Sequence, residues 1–98
     1  MTELEQLQAS AGQAAALLKA MSNPRRLLIL CMLCGTPGTS AGDLARATGL
    51  SASATSQHLA RMREEGLIGS TRDAQRILYA IKNDAVYQII STLKHLYC

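Results

Sequence analysis

The segment from Thr39 to Leu67, TSAGDLARATGLSASATSQHLARMREEGL, most constrains what this chain can fold into. It predicts a first short helix that is capped by Ser40 and ends at Thr48, before a glycine. Ser51 is then the predicted N-cap of a second helix that runs to about Glu65. Two short helices joined by a tight turn are typical of a helix-turn-helix, whose second helix enters the DNA major groove.

Two further helices are predicted before this segment. Asn23 and Pro24 form a start signal, and the segment RRLLILCMLCG after them is apolar nearly all round and ends at Gly35, which predicts a buried central helix. The N-terminal segment predicts an amphipathic helix with a narrow apolar stripe, suited either to a partner chain or to its own domain. The stripe consists of Leu4, Leu7, Ala11, Ala14 and Leu18.

A β-hairpin and a fifth helix are predicted after the segment. The β-prone runs Leu67–Ser70 and Ile77–Ile81 flank the turn-compatible sequence TRDAQR, which indicates a hairpin wing. Asn83 or Asp84 then caps the amphipathic helix DAVYQIISTLKHLYC. The predicted fold is therefore mainly α with a small β-hairpin: a winged helix-turn-helix of four helices, a wing and a last helix, in one domain over residues 1–98.

Composition narrows the possible functions. The 98-residue chain is 48% hydrophobic, contains no Trp or Phe and has only three Tyr, which disfavours a base-stacking surface for single strands. Its formal net charge of +3 is compatible with nucleic acid but is weak evidence alone. We find no catalytic carboxylate pair, nucleophile–base constellation or phosphate loop, so we do not expect an enzyme.

The termini and cysteines bear on location. No apolar run is long enough to span a membrane, and the polar, acidic N-terminus MTELEQLQAS does not resemble a secretory signal. We therefore expect a cytoplasmic protein without a membrane partner, whose three cysteines are reduced at rest.

The second helix of the segment has two different sides. At about 100° per residue, Ala54, His58, Leu59 and Met62 fall on the side that packs inward, whereas Ser53, Ser56, Gln57 and Ala60 fall on the opposite side. Gln can pair with adenine, and Ser can reach several bases. A merely solvated face would also favour Ser and Gln, but a cluster of these mediocre helix formers favours DNA contact. The candidate DNA-contacting residues are Ser51, Ser53, Thr55, Ser56, Gln57, Arg61, Arg63, Arg72 and Arg76.

Three other basic side chains have open or structural interpretations. His58 lies toward the predicted core side, where a structural histidine is expected more often than a ligand or catalytic group. Arg25 and Arg26 lie near the start of the central helix, and there a phosphate contact is no better supported than a structural role.

Three segments of the chain resemble the ArsR family of small dimeric bacterial repressors: NPRRLLIL, GDLARATGLSASATSQHLARMREEGLI and RILYAIKND. The resemblance covers the whole length and is strongest to the branch that senses reactive sulfur. It implies a homodimer through the first and last helices, which binds double-stranded operator DNA until an inducer releases it. Its metal-sensing patterns are absent here, since AGDLARAT holds no cysteine and Val86 lies two residues after Asp84.

The sulfur-sensing branch has one cysteine in the central helix and one at the end of the last helix, and Cys31 and Cys98 match both positions. The resemblance therefore implies that persulfide or polysulfide links these two thiols. Because the carboxylate beside the Cys98 thiol disfavours its thiolate and the last turn of a helix frays, we expect Cys31 to be attacked first. An inert core thiol is the alternative for Cys31, but a second cysteine at a distant, plausible position favours a functional role, and Cys34 is best explained as a small residue near a helix end.

Two alternatives remain from the sequence. No cofactor is expected, but Cys31, Cys34, Cys98 or His95 could serve a metal, arsenical or haem sensor, because clustered thiols bind soft ions. A helical dimer that binds a protein partner is the alternative outside DNA binding, and it predicts no salt-dependent affinity for DNA.

Overall fold

The computed structural model describes residues 2–97. Over this range the chain forms five helices and a three-stranded sheet, in the predicted order. The helices are α1 (Glu3–Met21), α2 (Pro24–Gly35), α3 (Ala41–Thr48), α4 (Ala52–Glu64) and α5 (Asp84–Tyr97). The strands are β1 (Thr39–Ser40), β2 (Ile68–Asp73) and β3 (Arg76–Ile81). The predicted fold, mainly α with a winged helix-turn-helix, is confirmed.

Short polar side chains begin the helices where the sequence predicted. The Asn23 Oδ1 accepts hydrogen bonds from the first backbone N–H groups of α2, at 2.9 and 3.2 Å. Ser40 and Ser51 cap α3 and α4 in the same way, at 3.2 and 3.0 Å. Of the two candidates for α5, the cap is Asn83, whose Oδ1 accepts from the N–H groups of Ala85 and Val86. Each cap supplies an acceptor to donors that lack a partner within the helix.

The wing is longer than predicted and has a third strand beside it. β2 and β3 pair antiparallel from Ile68–Ile81 to Asp73–Arg76, so the turn shrinks to two residues, of which Ala74 has φ 57°. β1 pairs with β3 through Thr39 and Ser40. This strand was not predicted, because a two-residue strand has no periodicity to recognise in the sequence.

The core lies between α2, α3, α4, α5 and the base of the sheet. Its buried hydrophobic side chains are Met21, Ile29, Leu30, Leu33, Leu44, Leu59, Met62, Leu67, Ile68, Val86 and Ile90. α2 is the central helix, as predicted, but it is not buried all round, since Leu28 remains exposed. One face of α2 is thus left open to solvent in the single chain.

The helix α1 contacts the core only near its C-terminal end. Leu17 and Ala20 pack against the core cluster and Met21 is buried. Leu4, Leu7 and Leu18 of the predicted stripe are 63%, 59% and 52% exposed. Of the two possibilities left open by the sequence, packing on the chain's own domain therefore does not account for the stripe.

Candidate nucleic-acid interface and thiol site

The turn between α3 and α4 fixes where the second helix begins. Gly49 ends α3 with φ 74°, a left-handed conformation that glycine adopts without steric cost. Two residues later the Ser51 hydroxyl caps α4. Leu44 of α3 and Leu59 of α4 are both fully buried, so the two helices share one side of the core. The other side of α4 is thereby presented to solvent.

The inward and outward sides of α4 follow the predicted angular pattern. Leu59 and Met62 are buried, and Ala54 and His58 are half-buried. The small polar side of the helix is exposed along its length, and it consists of Ser53, Ser56, Gln57 and Ala60. Small side chains allow a helix backbone to approach the floor of the major groove, and Gln57 extends from the middle of this surface.

The prediction that Thr55 contacts DNA is wrong. Its side chain is 0% exposed, and its hydroxyl donates a 2.8 Å hydrogen bond to the carbonyl of Ser51, one turn earlier. The threonine therefore packs into the core while satisfying its own polar group within the helix. It was included because of the composition of the segment, whereas its position on the helix turns it inward.

The arginines of the candidate surface are exposed, but some of them also form hydrogen bonds within the protein. An Nη atom of Arg63 donates to the Ser70 hydroxyl at 3.1 Å, which connects α4 to β2. On the wing, the Nε of Arg72 donates to the carbonyl of Ala74 at 3.2 Å. Arg76 donates to Asp43 of α3 at 3.0 Å. These bonds leave other guanidinium N–H groups available to phosphate oxygens.

Asp43 connects the wing to α3. Its carboxylate accepts from Arg76 and also from Arg46, one turn further along α3. Hydrogen bonds from Arg46 and Ser40, followed by the charges of the two arginines, hold the pKa of Asp43 below its usual value. No local sequence pattern predicts this bridge, because Asp43 and Arg76 are 33 residues apart.

His58 has the structural position that its angular placement predicted. It is half-buried, and its Nδ1 accepts a 3.4 Å hydrogen bond from the Nε of Arg26. Burial, followed by the positive charges of Arg26 and Arg25, lowers the pKa of His58. Arg26 thus points into the domain, whereas Arg25 is exposed. The phosphate contact considered for both residues remains open only for Arg25.

Cys31 and Cys34 are both half-buried on α2 and pack against the core cluster. Cys31 lies one turn from Leu27 and one turn from Gly35, on the same side of the helix. Leu27 lines a cavity together with Leu93 of α5, and a Cβ placed on Gly35 would lie 3.0 Å from the Nζ of Lys94.

Cys31 therefore lies on the side of α2 that faces the C-terminal turns of α5. Cys98, the other cysteine in the predicted switch, lies outside the described residues, so its position relative to Cys31 stays a prediction. Among residues 2–97, no three His, Cys, Asp or Glu side chains lie close enough together to hold a metal ion. Over the same range, none of the helices combines the length and apolar character needed to cross a membrane.

Comparison with known proteins agrees with this architecture. Residues 23–70 match the family described as bacterial regulatory protein, arsR family. The HTH-type transcriptional regulator YgaV of Escherichia coli K12 is 81% identical over 98 residues, which is 100% of this chain and 99% of that protein. The transcriptional activator HlyU of Vibrio cholerae is 42% identical over 95 residues, covering 97% and 87% of the two chains.

A solved structure extends the agreement to three dimensions. The crystal structure of a predicted DNA-binding transcriptional regulator from E. coli superposes with a TM-score of 0.94 at 80% identity, over 97% of this chain and 100% of that one. These relatives are regulators of transcription and not enzymes. The chain belongs to the ArsR family of bacterial transcriptional regulators.

Proposed function

We propose that this chain is a homodimeric, cytoplasmic repressor that binds double-stranded operator DNA and is released by oxidation of its thiols with persulfide or polysulfide. The observation that carries the DNA-binding part is the outward side of α4. It presents small polar side chains around Gln57, and exposed arginines are present on α4 and on the wing.

In this proposal α4 reads bases and the wing contacts the backbone. Ser53, Ser56 and Gln57 face the groove, where Gln57 pairs with adenine. Ser51 lies at the N-terminus of the same helix, where a phosphate oxygen is favoured by the free N–H groups. The phosphate contacts come from Arg61, Arg63, Arg72 and Arg76, all of which are exposed.

The exposed stripe of α1 supports a dimer. Three leucines more than half exposed on one helix leave an apolar surface that a second copy would cover. α5 contributes exposed Tyr87 and Leu96 at the other end of the chain. A symmetric dimer presents two α4 helices to two half-sites, as specific binding by a small helix-turn-helix requires.

The DNA-binding proposal is tested with duplexes selected from a random pool by the wild-type chain. We expect the affinity for the selected duplex to fall as salt rises, because phosphate contacts release counterions. Gln57→Ala should weaken binding about 5- to 150-fold, and Gln6→Ala on α1 should leave it unchanged. Selection without any enriched sequence, or equal effects of the two variants, would contradict base reading by α4.

The direction of regulation needs its own measurement. Repression requires only that the dimer occupies a promoter, whereas activation also requires a surface that recruits the transcription machinery. The relative HlyU is named a transcriptional activator, which makes activation the second candidate. A promoter containing the selected site should be less active with the wild-type chain than with Gln57→Ala. Higher activity with the wild-type chain would replace repression by activation.

The position of Cys31 supports the proposed switch. It lies on the side of α2 that faces the last turns of α5, and Cys98 follows the last described residue of that helix in the sequence. A bridge between these cysteines would tie the end of a proposed dimerisation helix to the central helix. A direct disulfide requires Cα atoms within about 7 Å, whereas added sulfur atoms span a wider gap.

The bridging reaction balances without a further oxidant. The thiolate of Cys31 attacks an inner sulfur of an organic tetrasulfide, RS–S–S–SR, and displaces one RS⁻. The thiolate of Cys98 then attacks the resulting chain and displaces the second RS⁻. In the product, two sulfur atoms from the tetrasulfide join the Sγ atoms of Cys31 and Cys98, and two thiols RSH are released, so the two cysteines are oxidised and the tetrasulfide is reduced.

The bridge releases DNA if it moves the two α4 helices away from their half-sites. α2 packs against α5 and shares the core with α4, so a shift of α2 is transmitted to the DNA-binding helix. A coupling of about 1–3 kcal/mol for each site gives partial release, and two sites in a dimer give more.

Three cysteine variants test the switch. We expect tetrasulfide to weaken operator binding by the wild-type chain and by Cys34→Ser, but not by Cys31→Ser or Cys98→Ser. Mass spectrometry should find the first adduct on Cys31, including in Cys98→Ser. Persulfide only on Cys98 in Cys31→Ser, with none on Cys31 in Cys98→Ser, would overturn the proposed order.

Metal, arsenical and haem sensing is the remaining alternative for the same thiols. Absorption titrations with Zn²⁺, arsenite and haem identify it directly. Operator binding that ignores polysulfide and responds to Zn²⁺ or arsenite would refute the sulfur inducer while leaving the DNA-binding proposal intact.

A further inference from the structure

One guanidinium group connects the end of α1 to the middle of α4. Arg26, near the start of α2, is only 17% exposed. Its Nη1 donates a 2.9 Å hydrogen bond to the carbonyl of Ala20 in the last turn of α1. Its Nε donates at 3.4 Å to the Nδ1 of His58 on α4. The same Nη1 lies 3.8 Å from a carboxylate oxygen of Glu65, the C-cap residue of α4.

The chemistry of these contacts restricts how the two helices are oriented relative to each other. Guanidinium donors lie in a rigid plane, so bonding two helices at once restricts the angle between them. The Ala20 carbonyl lies in the last turn of a helix, where a cation is favourable. Because its pKa is lowered by burial and by the two neighbouring arginines, His58 is neutral at neutral pH and can accept at Nδ1.

We propose that Arg26 is a positioning residue for DNA recognition, which holds α4 at a fixed orientation relative to the C-terminal end of α1. This inference rests on the proposed function, in which α1 joins the two copies and α4 enters the groove. Two half-sites must be met at once, so a small rotation of each α4 loses base contacts. The attraction between the protein's charge and the phosphates tolerates such a rotation.

Arg25 provides a matched control at the adjacent position. Arg26→Gln and Arg25→Gln each remove one positive charge, but only Arg26 bridges the helices. Affinity is measured for the duplex selected by the wild-type chain and for a scrambled duplex of the same length. We expect Arg26→Gln to lose about tenfold more affinity for the selected duplex than Arg25→Gln, and both to lose equally on the scrambled one.

The outcomes separate the inference from the proposed function. Equal losses on the selected duplex would overturn the positioning role and leave DNA binding standing. A wild-type chain that enriches no duplex would overturn both proposals. A larger loss by Arg26→Gln on both duplexes alike would mark Arg26 as a phosphate contact or as a purely structural residue, and would also overturn the inference.

A second pair of variants decides the matter if Arg26→Gln does not fold. His58→Asn places an amide oxygen where Nδ1 lies and keeps the acceptor, whereas His58→Leu removes it. Asn is the poorer helix former, so a purely structural role predicts that His58→Asn is the weaker binder. We expect the opposite on the selected duplex and no difference on the scrambled one. Weaker specific binding by His58→Asn than by His58→Leu would overturn the inference.

Discussion

The helix α1 and the helix-turn-helix formed by α3 and α4 differ in how completely their apolar residues are buried within one chain. Each helix of the helix-turn-helix buries its apolar residues, and Leu59 is 1% exposed. The 19-residue α1 contacts the core only through its last turns, and its leucine stripe stays in solvent. The helix-turn-helix therefore buries its apolar residues within one chain, whereas a single chain leaves the apolar side of α1 exposed.

The largest effect is expected in the helix-turn-helix, whose apolar residues are already buried within one chain. Leu59→Ala truncates a fully buried side chain through which α4 packs into the core. It should lower the free energy of unfolding by about 2–5 kcal/mol. Leu59→Met conserves volume and should cost less than about 1.5 kcal/mol. Urea denaturation at fixed protein concentration measures both. Equal, small losses would show that α4 is not anchored through Leu59.

The next prediction concerns the surface that one chain leaves open. Leu7→Glu places a carboxylate in the proposed dimer interface and should raise the dimer dissociation constant by about 100-fold or more, measured by sedimentation equilibrium. The helix-turn-helix should stay folded by circular dichroism. Ala9→Glu adds the same charge on the opposite side of α1 and should leave the dimer intact. A dimer unchanged by Leu7→Glu would place the interface elsewhere.

A smaller effect is expected at the contact between α3 and the wing. Asp43→Asn weakens the bridge to Arg46 and Arg76, and should slightly lower the Tm at low ionic strength. The difference should vanish at about 1 M salt, where the Debye length is about 3 Å. Because the pKa of Asp43 is lowered, its contribution is present above pH 3.8 and is lost as the pH falls through the lowered pKa.

Asp73→Asn is the matched control for this variant, since it makes the same chemical change on the exposed end of the wing. We expect it to leave the Tm unchanged at both salt concentrations. If both variants lower the Tm equally, the effect belongs to net charge and not to the Asp43 bridge.

The smallest expected effect is the pH dependence from His58, at the contact between α4 and α2. Its folded pKa lies below the usual histidine value of 6.5, so below pH 6.5 the unfolded chain binds a proton first. Stability is therefore complete above pH 6.5 and decreases as the pH falls toward the folded pKa. We expect His58→Asn to flatten the decrease in Tm between about pH 7 and pH 5.

The exposed His95 on α5 supplies the control for this measurement. His95→Asn removes the chain's other histidine and should retain the decrease in Tm. If the decrease in Tm persists in His58→Asn but disappears in His95→Asn, the pH dependence arises from His95 on α5 and not from the contact between α4 and α2.

The sequence predicted most accurately the features that depend on neighbouring residues. The caps at Asn23, Ser40 and Ser51 were found because each side chain bonds a backbone N–H group two or three residues ahead. The outward side of α4 followed from helical periodicity alone. Thr55 was misassigned because composition, and not its angular position, placed it in the site.

Contacts between distant parts of the chain could not be predicted from the sequence. The strand β1 has only two residues and exists because β3 lies beside it. The bond from Arg26 to His58 spans 32 residues, and the bridge from Asp43 to Arg76 spans 33. Neither pair has a spacing that a local pattern could recognise.

By itself, the sequence determined the order of helices, their starting residues and the small polar side of α4, because these depend on interactions within one or two turns. Only the tertiary structure decided that Thr55 is buried, that Arg26 turns inward to join α1 and α4, and that the apolar stripe of α1 stays exposed. Those outcomes depend on which surfaces pack together when the core forms. Contacts between segments far apart in the sequence then decide which side chains are buried and which stay exposed to water.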